Sequence, residues 1–182
     1  MTVKEVVALA AELLGLDGVK AVLDGTSTEA ENEVVALERA YNLVENELAL
    51  DYFPLYCEET LDLESGRLYY RDLTRSAVRI LSVCSEVGET LAHKIFPDYM
   101  SVDRGRVVVK YAYTPAVKDV NGEAEFGFGA SLRLVAFGVA AEYCFMNGLY
   151  GEAEAWNKKY RAEITASYRA RPAKTIKERR WV

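Results

Sequence analysis

The sequence is poor in the side chains that most often carry catalysis, metal binding or cross-linking. Its 182 residues include one histidine, His93, and three cysteines, Cys57, Cys84 and Cys144. Any histidine-dependent reaction or metal site would have to use His93. The cysteines are odd in number, widely spaced and set among apolar neighbours, as is typical of reduced thiols in a cytosolic protein, and we predict no disulfide framework.

Long apolar runs without charge are also missing. The most apolar stretch, 132–149, contains Arg133 and Glu142, which argues against a membrane span. The first sixteen residues carry Glu5 and Glu12 where a signal peptide would need an uninterrupted apolar region. The sequence therefore predicts a non-secreted protein.

The chain as a whole has no excess of basic residues. It contains 22 Lys and Arg against 28 Asp and Glu, for a net charge of −6. Residues 169–182 hold six of the basic residues and one acidic residue, which leaves 16 basic and 27 acidic residues in the remainder. Bulk electrostatics argue against general nucleic-acid binding, whereas the C-terminus is a local basic segment.

What is present suits one globular domain, because 51% of the residues are hydrophobic and only four are proline. Thr2 and Glu5 have the spacing of a capping box, which predicts a helix of about fourteen residues ending at Gly15 to Gly18. Thr28 and Glu31 suggest a second capping box before the clearest helix, which ends near Asp51. That helix repeats apolar residues at intervals of three and four: Val34, Leu37, Tyr41, Val44 and Leu48.

The period changes after Pro54. Short apolar runs separated by turn residues predict four or five antiparallel strands, at 55–63, 67–70, 78–85, 91–96 and 106–113. Three glycine-containing segments read as hairpin loops: 64–66, 86–88 and 103–105. In the last strand, alternation places Val107, Val109, Tyr111 and Tyr113 on one buried face.

Two further helices follow a loop at 114–129. Ser131 is a capping candidate for a core helix that runs to Asn147 and Gly148, with an apolar stripe formed by Leu132, Val135, Val139, Tyr143 and Met146. A more polar helix from Glu152 to about Ala170 completes an antiparallel hairpin, with Trp156, Tyr160, Ile164 and Ser167 on its inner side. We therefore predict an α+β fold: mainly a helical bundle of about four helices with an inserted antiparallel β region of four to five strands. The predicted divisions are 1–53, 54–129, 130–170 and a basic extended arm at 171–182.

No reactive centre emerges from these elements. A zinc site from His93 and the three cysteines would lack the closely spaced ligand pairs that usually hold zinc. A core thiol and a strand histidine explain Cys84 and His93 better than a catalytic dyad does. Gly127 and Gly129 lack the third glycine and the lysine of a phosphate-binding loop. We predict no enzyme activity, catalytic residue, cofactor or metal.

The order and spacing of several segments resemble the head-to-tail connector, or adaptor, proteins of tailed bacteriophages. The resemblance covers most of the chain. It rests on these segments: Leu13-Leu14-Gly15-Leu16, the long helix running into Asp51-Tyr52-Phe53-Pro54-Leu55, the strand 107–113, the helices 131–148 and 152–170 joined by Gly148-Leu149-Tyr150-Gly151-Glu152, and Lys177-Glu178-Arg179-Arg180-Trp181-Val182.

The resemblance implies a structural virion protein at the head–tail interface. Such proteins form a ring, typically of twelve copies, below the portal, join capsid to tail and let DNA pass. The implied partners are copies of the chain itself, the portal protein, a tail or nozzle protein, and genomic DNA that passes without sequence-specific contact. An acidic channel would repel phosphates and let DNA slide.

The basic C-terminal arm is the predicted partner-binding element, because a solvated tail has little use for Ile176 and Trp181. We expect Trp181 to be a buried anchor on portal or an adjacent subunit, with the basic residues pairing carboxylates. The predicted contact residues are Arg169, Arg171, Lys174, Ile176, Lys177, Arg179, Arg180 and Trp181. The alternative is a small DNA-binding or regulatory phage protein that uses this basic tail on phosphates.

Overall fold

A computed structural model describes residues 1–63, 65–103, 105–126 and 129–169. It has an α+β architecture, as predicted, with five helices and two small antiparallel sheets of three strands each. The helices are α1 (Val3–Leu14), α2 (Val19–Leu23), α3 (Glu31–Glu47), α4 (Leu132–Met146) and α5 (Tyr150–Arg169). The strands are β1 (Leu55–Asp62), β2 (Arg67–Tyr69), β3 (Ala77–Cys84), β4 (His93–Ile95), β5 (Tyr99–Val102) and β6 (Arg106–Tyr113).

The helices from the two ends of the chain share one hydrophobic core, and we call them the helical unit (residues 1–53 and 130–169). Its centre is formed by side chains such as Leu37, Tyr41 and Val44 of α3 and Val135 and Val139 of α4. The 3–4 spacing of α3 is confirmed, because all five predicted positions are buried. A π-helical turn, Leu48–Tyr52, follows α3 and leads the chain into β1.

The two predicted capping boxes have different outcomes. At α1 the Thr2 hydroxyl accepts from the Glu5 amide at 3.2 Å, and Glu5 accepts from the Thr2 amide at 2.7 Å, so the first is confirmed. The second is wrong. Residue Ala30 precedes α3 without a side-chain cap, because the chain turns earlier, with the Glu31 amide donating to the Thr28 carbonyl.

The apolar stripe predicted for α4 is only partly right. Leu132 and Met146 lie at the ends of the helix and are exposed, whereas Val135 and Val139 are buried. Small residues let α4 pack on several sides, so Ala136, Gly138 and Ala140 are buried as well. In α5, which begins at Tyr150 rather than Glu152, Tyr160 and Ile164 lie on the inner side as predicted.

The β region, which we call the β unit (residues 54–113), differs from the prediction in strand number and connection. It has six strands, because Tyr99–Val102 forms a short strand that the sequence pattern did not reveal. The strand orders are β1-β6-β3 and β2-β5-β4. Both sheets contribute to a second core, in which Leu68 and Met100 of one sheet accompany Val107, Val109 and Tyr111 of the other.

None of the three predicted hairpins joins neighbouring strands of one sheet. The segments at 64–66, 86–88 and 103–105 each lie between strands of different sheets, because two sheets are needed to close a core around the buried face of β6. Gly66 has φ +65°, and a Cβ there would lie 2.8 Å from the Val102 carbonyl oxygen. The turn at Gly88 does reverse the chain beside β3, where Cys84 pairs with Thr90.

Candidate interaction surfaces

The side chains that could have carried catalysis are dispersed. Cys57 and Cys84 lie on β1 and β3, whereas Cys144 is buried in α4. Burial, with Glu152 nearby, raises the pKa of the Cys144 thiol, which disfavours a thiolate there. The His93 ring is 3.1 Å from the Leu91 carbonyl oxygen through Nδ1. Within the described ranges, no group of three or more His, Cys, Asp or Glu side chains could hold a metal ion.

A buried polar network joins α3 to the segment that follows β6. Glu45 of α3 is 1% exposed and accepts from the Tyr41 hydroxyl at 2.9 Å and the Glu125 amide at 2.7 Å. The Lys118 ammonium lies 2.7 Å from its second oxygen. Because the buried carboxylate has three donors, the network is internally satisfied. It fixes the segment after β6 against α3 of the helical unit.

The outward face of the small sheet β2-β5-β4 combines arginine and tyrosine. Ser101 of the central strand β5 pairs with Arg67 of β2 on one side and with Lys94 of β4 on the other. The two cations therefore lie in one row across the sheet. In the next row Tyr69 pairs with Tyr99. We call this surface the Arg–Tyr face and define it by Arg67, Tyr69, Arg71, Lys94, Phe96 and Tyr99.

Ring contacts hold the two guanidinium groups of this face in place. The Arg67 guanidinium lies 5.2 Å from the centre of the Tyr99 ring, and that of Arg71 lies 5.0 Å from the Tyr69 ring. Phe96 stacks on Tyr99 with the ring centres 4.7 Å apart. The Nε of Arg71 also lies 3.8 Å from the Asp72 carboxylate, and both of these side chains are largely exposed. Guanidinium groups positioned by aromatic rings are suited to binding carboxylate or phosphate oxygens.

The Arg–Tyr face was not predicted from the sequence. Its rows exist only because β2 and β4 both pair with β5, the strand that was not predicted. The available signal was the alternation of Tyr99, Met100, Ser101 and Val102, where Met100 and Val102 are buried and the other two point outward.

A groove of about 400 Å³ lies among α3, α4 and α5. The helices pack closely at Gly138, which forms the floor of the groove. A Cβ at this position would lie 2.8 Å from Val44 and 2.9 Å from the Tyr160 ring. Three carboxylates line it, one from each helix. We call it the acidic groove; its lining is Val44, Glu47, Gly138, Ala141, Glu142, Phe145, Tyr150, Ala153, Glu154, Asn157 and Tyr160.

The carboxylates of the acidic groove are not equivalent. The Tyr160 hydroxyl donates to Glu47 at 3.3 Å, and the Lys158 ammonium lies 2.9 Å from Glu154. Desolvation raises the pKa of Glu47; the Tyr160 hydrogen bond and the Arg161 charge oppose this, whereas Asp51 and Glu142 add to it. Glu154 therefore has a cation beside it, whereas Glu47 and Glu142 raise each other's cost of ionisation.

Aromatic side chains mark one end of the groove. Phe145 and Tyr150 form an edge-to-face pair with centres 5.8 Å apart, and they are 60% and 67% exposed. Their neighbours Met146 and Leu149 are exposed too. An exposed apolar cluster beside carboxylates is typical of a binding surface.

The predicted arm residues lie almost entirely outside the described ranges. Of the eight, only Arg169 is inside, as the last residue of α5. The other seven lie in the segment 170–182, which is outside the described ranges. Of the glycine pair in the loop before α4, Gly127 is outside these ranges and Gly129 is inside. Helix α5 ends at Arg169, two residues before the predicted arm.

Within the described ranges, none of the helices is both long and apolar enough to cross a membrane. Comparison with protein-family models gives no match to this chain, and comparison with curated proteins gives none either.

Proposed function

We propose that the chain is a structural protein of a tailed-phage virion, a head-to-tail connector that assembles into a ring below the portal, joins capsid to tail and lets DNA pass. The observation that carries this proposal is the Arg–Tyr face, a positioned cationic surface on a chain with a net charge of −6. The α+β architecture, with a helical unit interrupted by a β unit, supports it.

A ring of identical subunits needs a heterologous contact, in which one surface meets a different surface on the next copy. The Arg–Tyr face has an oppositely charged counterpart in the same chain. Residues 1–53, which form α1 to α3, contain eleven acidic and three basic side chains. The proposed ring contact places the Arg–Tyr face of one copy against the acidic N-terminal helices of the next.

The arm at 169–182 has a separate role in this proposal. It leaves the end of α5 and binds the portal protein or an adjacent subunit, with Trp181 as the anchor. The same ring would also meet a tail or nozzle protein. Its acidic interior would repel the DNA backbone, so that the genome passes without being held.

The ring contact is tested by charge reversal on the Arg–Tyr face. The variant Arg67→Glu with Arg71→Glu should weaken self-association at least about tenfold, because like charges would then meet across the contact. The matched control is Arg79→Glu with Lys110→Glu, two exposed cations on the other sheet of the same unit. Analytical ultracentrifugation gives both association constants, and equal constants for the two variants would contradict the proposed contact.

The local charge of the arm also supports the second candidate, a DNA-binding or regulatory phage protein. Phosphate binding through five or six basic side chains should weaken steeply as salt rises, whereas a contact anchored by Trp181 should weaken less. Fluorescence anisotropy of labelled duplex DNA, measured over a salt series, separates the two. Tight, steeply salt-dependent binding by a chain that does not self-associate would favour the second candidate.

A further inference from the structure

The acidic groove has the chemistry to hold a basic, aromatic peptide. It offers one carboxylate from each of three helices, the Asn157 amide, an apolar floor at Gly138 and Ala141, and an exposed aromatic pair at one end. A small anion would be repelled, and a bare cation would leave the aromatic end uncovered. The ligand that fits both parts is a segment with spaced cations and a large apolar side chain.

Such a segment begins at the end of one of the helices that form the groove. Residues 170–182 contain Arg171, Lys174, Lys177, Arg179 and Arg180 against one acidic residue, and they end in Trp181 and Val182. The charge is complementary to the groove, and Trp181 matches the aromatic end.

The length of the segment is also sufficient. From Arg169 back to Tyr150, α5 rises about 28 Å at 1.5 Å per residue. Thirteen extended residues span at most about 43–47 Å. If the chain reverses at Arg171-Pro172, the nine residues from Ala173 to Trp181 still cover about 30 Å, so Trp181 comes level with Tyr150. Lys177 and Arg179 then pass the carboxylates on the way.

We propose that residues 170–182 of the same chain fold back along α5 and occupy the acidic groove in the isolated subunit, with basic side chains on Glu47, Glu142 and Glu154 and with Trp181 against Phe145 and Tyr150. The arm thereby covers an exposed apolar surface of its own subunit. A partner that binds the arm must first remove it from the groove. The partner and the groove therefore compete for the arm when assembly begins.

Trp181 makes this arrangement measurable, because the chain has only one other tryptophan, Trp156. In a Trp156→Phe background, the emission of Trp181 should be shifted to the blue, and its quenching by acrylamide should be reduced, relative to a free peptide of residues 170–182. Emission and quenching equal to those of the free peptide would overturn the proposal.

Charge reversal shows whether the groove is the binding site. Glu142→Lys with Glu154→Lys should move Trp181 emission to the free-peptide value, whereas the control Glu58→Lys with Glu89→Lys, two exposed carboxylates of the β unit, should leave it unchanged. Because the groove variant could disturb the helices, Arg179→Glu with Arg180→Glu changes the arm alone and should release Trp181 equally. Combining the groove and arm reversals should restore the blue shift, and unchanged emission in the arm variant would refute the groove as the site.

A dilution series distinguishes docking of the chain's own arm in the groove from docking of an arm that belongs to another copy. A tethered segment has an effective concentration on the order of millimolar, so its docking does not depend on protein concentration. Loss of the blue shift on dilution would assign the groove to another copy and overturn the proposal. These measurements use the isolated subunit, so they stand or fall separately from ring formation.

Discussion

Gly138 sets how closely three helices approach at the floor of the acidic groove. A methyl group there would lie within 3 Å of both Val44 and the Tyr160 ring. The neighbours are themselves packed in the core, so they have little room to move.

We expect Gly138→Ala to lower the free energy of unfolding by about 1–3 kcal/mol through overpacking. The control is Gly151→Ala in the first turn of α5, where a Cβ would meet nothing within 4 Å. That variant should be neutral or stabilising by up to about 1 kcal/mol, since alanine favours helix. Urea denaturation of both variants provides the comparison, and equal stability would contradict the close packing.

The contribution of Glu59 to the free energy of unfolding depends on pH. Desolvation tends to raise the pKa of its carboxyl, but hydrogen bonds from the Tyr111 hydroxyl and from the Thr74 amide and hydroxyl lower it by more, so the pKa lies below the ordinary value of 4.5. A lowered pKa in the folded state stabilises the protein above the unfolded-state value, and this contribution is lost as pH falls through the folded-state value.

We therefore expect the stability difference between the wild type and Glu59→Gln to be constant near neutral pH and to shrink as pH falls below about 4.5. Urea denaturation at a series of pH values gives this difference directly. If the stability difference instead grew on acidification, the pKa of Glu59 in the folded state would not be lowered.

At the scale of elements, the start of α1 depends on one side chain and the start of α3 does not. Thr2→Ala removes the hydroxyl that accepts from the Glu5 amide and should cost about 0.5–2 kcal/mol. Thr28→Ala changes an exposed residue that caps nothing and should stay within about 0.5 kcal/mol. Thermal unfolding followed by circular dichroism compares the two, and equal losses would contradict the capping role of Thr2.

The elements that sequence reasoning predicted well are those whose signal is local. The capping box of α1, the 3–4 spacing of α3 and the alternation of β6 lie within single stretches of chain. Strand β5 and the connections between the two sheets were missed, because the partner of a strand is chosen by distant residues that complete a core. A short glycine-containing turn has the same sequence pattern whether the strand that follows pairs with the preceding strand or joins the other sheet.

At the scale of the whole molecule, the candidate surfaces depend on tertiary assembly. The Arg–Tyr face needs three paired strands, and the acidic groove needs three helices from opposite ends of the chain. Neither can be read from a spacing in the sequence. The basic arm could be predicted from its charge alone, because its residues are consecutive.

The proposed connector function requires self-association into a closed ring. Native mass spectrometry of the 182-residue chain, beside a chain that ends at Arg169 and so lacks the proposed cover of the groove, tests this most directly. We expect a single discrete oligomer in at least one of the two, because a heterologous contact that closes on itself fixes the copy number. Monomers in both forms at all accessible concentrations, or an open-ended series of masses, would contradict the central claim.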